Sequence, residues 1–91
     1  MLIICAYDIE NNRRRTRLFK TLSRWGHAVQ RSVFECEVSV AQFAEMQGQI
    51  NQVISANEDD VRFYEICAAC RERVRTTKAA RRVHVPRVAI I

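Results

Sequence analysis

The spacing of apolar and polar residues predicts an alternation of strands and helices along this chain. Residues 2–7 form an uninterrupted apolar run whose length suits a buried central strand, and Asp8 ends it. Residues 12–25 predict an amphipathic helix, because apolar residues recur there at spacings of four and three. Gly26 follows at the place of a left-handed C-cap, so we expect the helix to end there.

The middle of the chain predicts more strands and a second helix. Residues 27–38 are rich in β-forming residues, and the pattern leaves open whether they form one kinked strand or two short ones. Ser39 and Gln42 have the spacing of a capping box, which begins a second amphipathic helix over roughly 40–56. After a polar turn, residues 61–66 predict another strand.

The last quarter of the chain is basic first and apolar afterwards. Residues 67–82 are polar and basic, whereas residues 83–91 alternate weakly and end apolar, with Pro86 favouring an edge strand or a bulge. A solvated apolar strand favours aggregation, so we expect 83–91 to pack as a tail strand on a partner subunit. The order of elements predicts an α+β sandwich of the ferredoxin-like βαββαβ type with this extra C-terminal strand.

Length and composition narrow the class of protein. Ninety-one residues suit a single domain covering residues 1–91, and 48% hydrophobic with 27% charged residues is an ordinary globular mixture that argues against disorder. No stretch approaches the ~20 apolar residues that cross a bilayer. The first apolar run is also too short for the core of a signal peptide. We therefore expect a cytoplasmic protein without a membrane partner.

The positive charge is concentrated in arginine and on one helix. The net charge is +5, and thirteen of the fifteen basic residues are arginine, whose planar fork binds phosphate at two points. A charged helix stripe is most often a solvated face. Such a face usually mixes both signs, however, and residues 13–34 contain no acid. This favours contact with nucleic acid through Arg13, Arg14, Arg15, Arg17, Lys20, Arg24 and Arg31. Of these, Arg13, Arg17, Lys20 and Arg24 share one helical stripe.

Asp8 is the candidate for chemistry. A strand-end Asp commonly caps the loop that follows it, which needs no function. It is also a ligand for a hard cation, and Mg²⁺ takes one or two carboxylates while keeping several waters. One Asp per chain is enough if a two-fold axis brings two copies together. A metal held there lowers the pKa of a bound water and polarises a phosphodiester.

Several segments, taken in order, resemble one known family. They are Tyr7-Asp8-Ile9 at the end of the first strand, the arginine-rich start of the first helix, Gly26, residues 29–35, Asp59 with residues 61–64, and Cys67-x-x-Cys70. Together they are similar to the CRISPR-associated Cas-two family, whose members are small nucleases and adaptor proteins of spacer acquisition. The resemblance covers nearly the whole chain.

The resemblance implies a ferredoxin-like homodimer with Mg²⁺ or Mn²⁺ held between the two copies of Asp8, which is then both metal ligand and catalytic residue. It also implies a partner integrase on DNA, and it places Ser32 and Phe34 near the acidic site. By strand period alone, Phe34 is most simply a core residue, and Tyr7 is expected to pack at the strand end. Two functions follow: a metal-dependent endonuclease on RNA or DNA, or a non-catalytic adaptor that bridges DNA.

The cysteines are assigned from their surroundings. Two of them lie in apolar runs and are expected to act as small hydrophobic residues. Cys67 and Cys70 have the spacing of half a zinc site or of a redox pair, but the possible further ligands Cys36, His27 and His84 fit no standard finger. We favour a structural or neutral role for the pair.

Overall fold

A computed structural model of the protein describes residues 1–77 and 89–90. Most of these residues belong to two layers, a sheet and a pair of helices packed on one of its faces. The elements are β1 (Leu2–Asp8), α1 (Asn12–Ser23), β2 (His27–Gln30), β3 (Val33–Glu37), α2 (Val40–Val53), β4 (Asp60–Ile66), α3 (Ala68–Arg71), β5 (Arg75–Thr76) and β6 (Ala89–Ile90).

The main sheet has four strands in the order β2-β3-β1-β4, and every neighbouring pair is antiparallel. The first strand of the chain is therefore an inner strand, as the apolar run predicts. Its register places Ile4 opposite Glu35 on β3 and opposite Tyr64 on β4. The expectation of an α+β fold built on an antiparallel sheet is confirmed.

Alternation along the strands separates the helix-covered face from the open face. Cys5 on β1 and Phe34 on β3 point to the helices and are fully buried. From the helical layer, Leu18 and Leu22 of α1 and Met46 of α2 complete the same core. Full burial of one such side chain stabilises the fold by about 1.5–3 kcal/mol. This core fixes the position of α1 against the end of β1, where Asp8 lies.

Local capping explains where the two long helices begin. Asn11 caps α1, and its side chain accepts a hydrogen bond from the backbone N–H of Arg14 at 2.9 Å. Ser39 and Gln42 form the predicted capping box of α2 through reciprocal bonds of 2.9 and 3.1 Å. Both helices end earlier than predicted. The C-cap of α2, Ile54, is already extended, with φ −86° and ψ 162°.

Gly26 corrects one prediction. It does not adopt the left-handed conformation, and the C-cap of α1 is Arg24 in ordinary right-handed helical geometry. Glycine is needed there for space, because a Cβ would collide with the carbonyl oxygen of Glu35 and lie 2.6 Å from Sγ of Cys36. The small residue thus allows the connection between α1 and β2 to lie directly against β3.

The segment 27–38, left open by the sequence, forms two strands. β2 and β3 are joined at Arg31 and Ser32, and their register shifts between Ala28 and Gln30, which is a β-bulge or a similar irregularity. The resulting tight connection places Arg31 and Ser32 beside the end of β1, where the backbone N–H of Tyr7 donates to the carbonyl oxygen of Ser32 at 3.0 Å.

The C-terminal part contains short elements that the sequence did not predict. After β4 come the single turn α3 and the strand β5, which pairs in parallel with β6. Of the predicted tail strand 83–91, residues 83–88 (with Pro86) and 91 lie outside the described residues, so its packing on a partner subunit stays a prediction. No helix formed by the described residues is long and apolar enough to cross a membrane.

Candidate functional site

Asp8 lies exposed at the end of β1 and directly opposite Asp60, the first residue of β4. Residues opposite each other in an antiparallel pair have Cβ atoms about 4.5–5.5 Å apart, on one face of the sheet. Asp60 also accepts hydrogen bonds of 3.2 and 3.3 Å from Nε of Arg62. Sequence reasoning missed Asp60, because it assigned this residue to a turn. The register of β4 against β1 would have revealed it.

A cavity of about 630 Å³ opens beside Asp8, and three cationic side chains line it. Its polar and aromatic lining includes Asp8, Arg15, Lys20, Arg31, Ser32 and Phe19. The structure therefore brings the predicted acid together with three predicted basic residues and with Ser32. An exposed carboxylate beside several cations can hold a metal while the cations bind a phosphate.

Tyr7 and Phe34 pack beside this cavity on its inner side. The hydroxyl of Tyr7 donates to the carbonyl oxygen of Arg31 at 3.3 Å, and burial raises the pKa of this phenol. The ring of Phe34 is fully buried, 6.4 Å from the ring of Tyr7 and 5.2 Å, edge to face, from that of Phe19. The packing predicted for Tyr7 is observed. Phe34 is a core residue that lies under the cavity without lining it.

Arg15 is anchored to the loop that follows Asp8. Its Nη1 donates to the carbonyl oxygens of Ile9 and Glu10 at 2.9 and 3.3 Å, and its Nη2 donates to the side-chain oxygen of Asn12. These bonds hold the guanidinium beside the cavity. They also fix the course of the backbone immediately after Asp8.

Arg14 differs from the other predicted phosphate-binding residues. Its Nε donates to Oδ2 of Asp59 at 2.8 Å, and its Nη2 donates to Oε2 of Glu58 at 2.7 Å. The side chain of Asp59 is 1% exposed and also accepts from the N–H of Ser55, so hydrogen bonds to Arg14 and Ser55 lower its pKa. The guanidinium of Arg14 is thus engaged by two acids. Held in this way, Arg14 does not lie ready to bind phosphate, which corrects the prediction made for it.

The remaining basic stripe lies in solvent along α1. Arg13, Arg17, Lys20 and Arg24 are all exposed. A groove of about 460 Å³ lies between α1 and α2. Arg17, Lys20 and Arg24 of this stripe line it, together with Gln49 and Gln52. Because Lys20 lines both this groove and the cavity at Asp8, the two basic regions are continuous.

Metal-binding residues within one protomer are few. Among residues 1–77 and 89–90, no three His, Cys, Asp or Glu side chains are grouped so as to hold a metal ion. This excludes a zinc cluster built from described residues around Cys67 and Cys70; His84 lies outside the described part. The described part of the chain therefore offers the carboxylates of Asp8 and Asp60 at one end of its sheet, without a third ligand grouped with them.

Comparison with known families shows to which family this chain is related. A family model described as CRISPR associated protein Cas2 matches residues 1–74. The chain belongs to the Cas2 family. The resemblance seen in the ordered sequence segments is thereby confirmed, and the match contains Asp8, both long helices and the whole four-stranded sheet.

Individual Cas2 proteins are similar over most of their length. CRISPR-associated endoribonuclease Cas2 1 of Chloroflexus aurantiacus is 35% identical over 75 residues, which is 81% of each chain. CRISPR-associated endoribonuclease Cas2 1 of Synechocystis is 46% identical over 70% of this chain and 72% of that protein. The crystal structure of Streptococcus pyogenes Cas2 at pH 6.5 superposes with a TM-score of 0.75 at 32% identity, covering 84% of this chain and 98% of that one.

Proposed function

We propose that this Cas2 chain is a metal-dependent endonuclease that hydrolyses RNA or DNA phosphodiesters and takes part in spacer acquisition as a homodimer. The observation that carries the proposal is the cavity in which Asp8 lies beside Arg15, Lys20 and Arg31. Relatives named endoribonucleases support RNA as a substrate. The strand order β2-β3-β1-β4 with two helices on one face supports a ferredoxin-like topology.

The donor set fits Mg²⁺ or Mn²⁺ shared by two protomers. Asp8 is exposed on a rigid inner strand, and hard cations prefer such oxygen ligands. Asp8 from each of two copies would supply the two carboxylates that are enough for Mg²⁺. When bound, the ion supplies a water of lowered pKa and polarises the phosphodiester.

The chain's own residues bind and orient the nucleic acid. Arg31 and Lys20 lie in the cavity with Asp8 and would hold the scissile phosphate and its neighbour. Arg15 keeps the loop after Asp8 in place through its bonds to Ile9 and Glu10. Tyr7 fixes the carbonyl of Arg31 and thereby the connection that carries this cation.

The open face of the sheet is the surface that we assign to the homodimer. Ile4, Ala6 and Val33 lie on the face away from the helices, and Tyr64 on the same face is 48% exposed. A second copy covering this face would bury these apolar groups and stabilise the pair. Since Asp8 also lies on this face by alternation, the same contact favours an approach of the two carboxylates.

Light scattering at micromolar concentration tests the dimer. We expect a mass twice the 10.6 kDa of one chain. Tyr64→Lys should shift the protein toward the monomer, because it places a charge in the contact, and Tyr64→Phe should not. A wild-type mass near 10.6 kDa throughout this range would contradict the dimer.

Metal-dependent cleavage tests the catalytic role. Wild-type protein with Mg²⁺ or Mn²⁺ should cleave single-stranded RNA or duplex DNA, and a chelator should stop it. Asp8→Ala should abolish this cleavage, whereas Glu10→Ala, which removes an exposed acid of the same loop, should retain it. If Asp8→Ala cleaves as fast as the parent, Asp8 is a capping residue and the proposed chemistry is wrong.

A second function, a non-catalytic DNA-bridging adaptor, is favoured by the exposed basic groove between α1 and α2. Arg17, Lys20 and Arg24 line it, and Lys20 joins it to the cavity at Asp8. Such a groove would bind a duplex backbone without reading its sequence, and a partner integrase would assemble on the same DNA. Duplex binding that survives in Asp8→Ala while cleavage is absent from the wild type would select the adaptor.

A further inference from the structure

Cys67 and Cys70 lie together on the single turn α3, apart from the proposed nuclease site. Cys67 is the N-cap residue with extended backbone, φ −68° and ψ 164°, and its Sγ accepts a hydrogen bond from the N–H of Cys70 at 3.4 Å. Both side chains are exposed, as are those of Ala68 and Ala69 between them. The two sulfur atoms are therefore neighbours on an accessible surface with small residues around them.

The surroundings make the two thiols unequal. Hydrogen bonds from the backbone and the thiol of Cys70 lower the pKa of Cys67, and the bond to Cys67 raises the pKa of Cys70. A thiolate is the reactive form of cysteine, so Cys67 is the more reactive of the pair. Burial instead raises the pKa of Cys5 to about 12 and that of Cys36 to about 11, which leaves both inert.

The segment that carries the pair is fastened to the sheet. Arg71, the residue after Cys70, forms an ion pair with Glu37 at the end of β3. Its side chain is 19% exposed, and the contact lowers the pKa of Glu37. Cys67 and Cys70 are thus held on a defined turn between β4 and β5, which keeps the two thiols close before any reaction.

We propose that Cys67 and Cys70 form a thiol–disulfide exchange site that reacts with low-molecular-weight disulfides of the glutathione class. The Cys67 thiolate attacks one sulfur of the small disulfide, so that a mixed disulfide forms and one small thiolate leaves and takes up a proton. The Cys70 thiol then loses its proton to solvent and attacks Sγ of Cys67. The second small thiol is released, the protein pair is oxidised by two electrons, and the small disulfide is reduced by two.

The geometry allows the second step with little movement. A disulfide requires Cβ atoms about 3.5–4.5 Å apart, and residues three apart on a helix have them about 5–6 Å apart. Cys67 is an N-cap, and its sulfur already turns back to within 3.4 Å of the Cys70 nitrogen. Because rotation of side chains leaves the Cβ atoms in place, closing the bond requires a small backbone shift at the N-cap, about 1–2 Å between the Cβ atoms, together with rotation of both side chains.

Exposure of the full-length protein to oxidised glutathione, followed by alkylation and peptide mass spectrometry, tests the site. The wild type should lose two hydrogen atoms and carry a Cys67–Cys70 bond within one chain. Cys5 and Cys36 should be alkylated only after unfolding, because they are buried. Cys70→Ser should stop at one glutathione attached to Cys67, since the resolving thiol is missing.

The pH dependence and the converse variant complete the test. The rate of the first step should rise with a midpoint below 9.0, the ordinary value for a thiol, and Cys67→Ser should react more slowly than Cys70→Ser. Equal rates for the two variants would overturn the proposal. So would bonds that form between chains instead of within one, or a wild type that accumulates glutathione without closing the disulfide.

Discussion

Asp8 and Asp60 face each other across the β1–β4 pair, so one protomer places two carboxylates at the same end of its sheet. Like charges directly opposite in an antiparallel pair are destabilising. Arg62 offsets part of this charge through its ion pair with Asp60, at 3.1 Å. A cation bound to Asp8 would relieve the remaining repulsion, which links metal binding to the stability of the fold.

Metal-dependent stability separates the roles of these two acids. Without metal, Asp8→Asn should unfold at a slightly higher temperature than the wild type, because it removes the repulsion. Asp60→Asn also loses the ion pair with Arg62, so its gain should be smaller. Added Mg²⁺ should raise the melting temperature of the wild type and of Asp60→Asn, and should leave that of Asp8→Asn unchanged. Thermal unfolding with Mg²⁺ or with a chelator measures this. A full Mg²⁺ effect in Asp8→Asn would contradict a metal site at Asp8.

Arg17→Gln should weaken DNA binding, whereas Arg14→Gln should lower the stability of the fold. Arg17 is exposed on the basic groove, so its loss should weaken binding to every DNA sequence alike and reduce the slope of log K against log salt by about one. Arg14 is engaged by Glu58 and Asp59, so its loss should lower stability and leave the slope unchanged. Binding titrations over a range of salt concentrations, with melting curves, measure both effects. Equal slopes for wild type and Arg17→Gln would show that Arg17 contacts no phosphate, and unchanged slopes for single variants of Arg13, Arg17, Lys20 and Arg24 alike would show that the stripe is a solvated face.

Stability should fall in acid partly because of Asp59. Its pKa is lowered in the folded protein from an ordinary 3.8, first by the hydrogen bond from Arg14. The unfolded chain therefore takes up this proton at a higher pH than the folded chain. The stabilisation is complete above the unfolded value and is lost as pH falls through the lowered folded value. Denaturant unfolding between about pH 5 and pH 2 should show a shallower decline for Asp59→Asn than for the exposed-site control Glu45→Gln. Equal declines in the free energy of unfolding for the two variants would contradict this role of Asp59.

Replacing Gly26 and Gly48 by alanine should change the stability of the fold in opposite directions. At Gly26 the added Cβ meets the backbone of β3, so Gly26→Ala should destabilise by about 1–3 kcal/mol, as overpacking does. At Gly48 nothing lies within 4 Å of the added Cβ on an exposed helix position, so Gly48→Ala should stabilise by about 0.5–1 kcal/mol. Denaturant unfolding measures both changes. A stabilising Gly26→Ala would refute the close approach of the α1–β2 connection to β3.

Elements with strong local signals were predictable from the sequence. The apolar run of β1, the periodicity of α1 and the capping box at Ser39 each depend on neighbouring residues, and all three are found in the structure. The division of residues 27–38 into two strands was not predictable, because the pairing with β1 decides it. The short α3 and β5 contain too few residues for a periodic pattern.

The parts of the site that were missed depend on contacts distant in sequence. Arg14 belongs by composition to the basic cluster, and its contact with Asp59 spans 45 residues. The position of Asp60 opposite Asp8 follows from strand register, which the polar stretch before β4 does not indicate. The crowding at Gly26 likewise comes from the backbone of β3. Residue type thus indicated the chemistry of the site, but only the fold shows which residues lie in it.

The inner position of β1 has a consequence for how the chain folds as it is synthesised. Its first residue, Leu2, pairs with Ile66, so β1 leaves the ribosome well before its second neighbour, β4, has been made. Pairing of segments so far apart in sequence slows folding, because the entropy cost of closing a long loop comes before the stabilising contacts form. Until β4 emerges, the apolar residues 2–7 remain without one flanking strand, and such an unpaired apolar edge makes the nascent chain prone to aggregation.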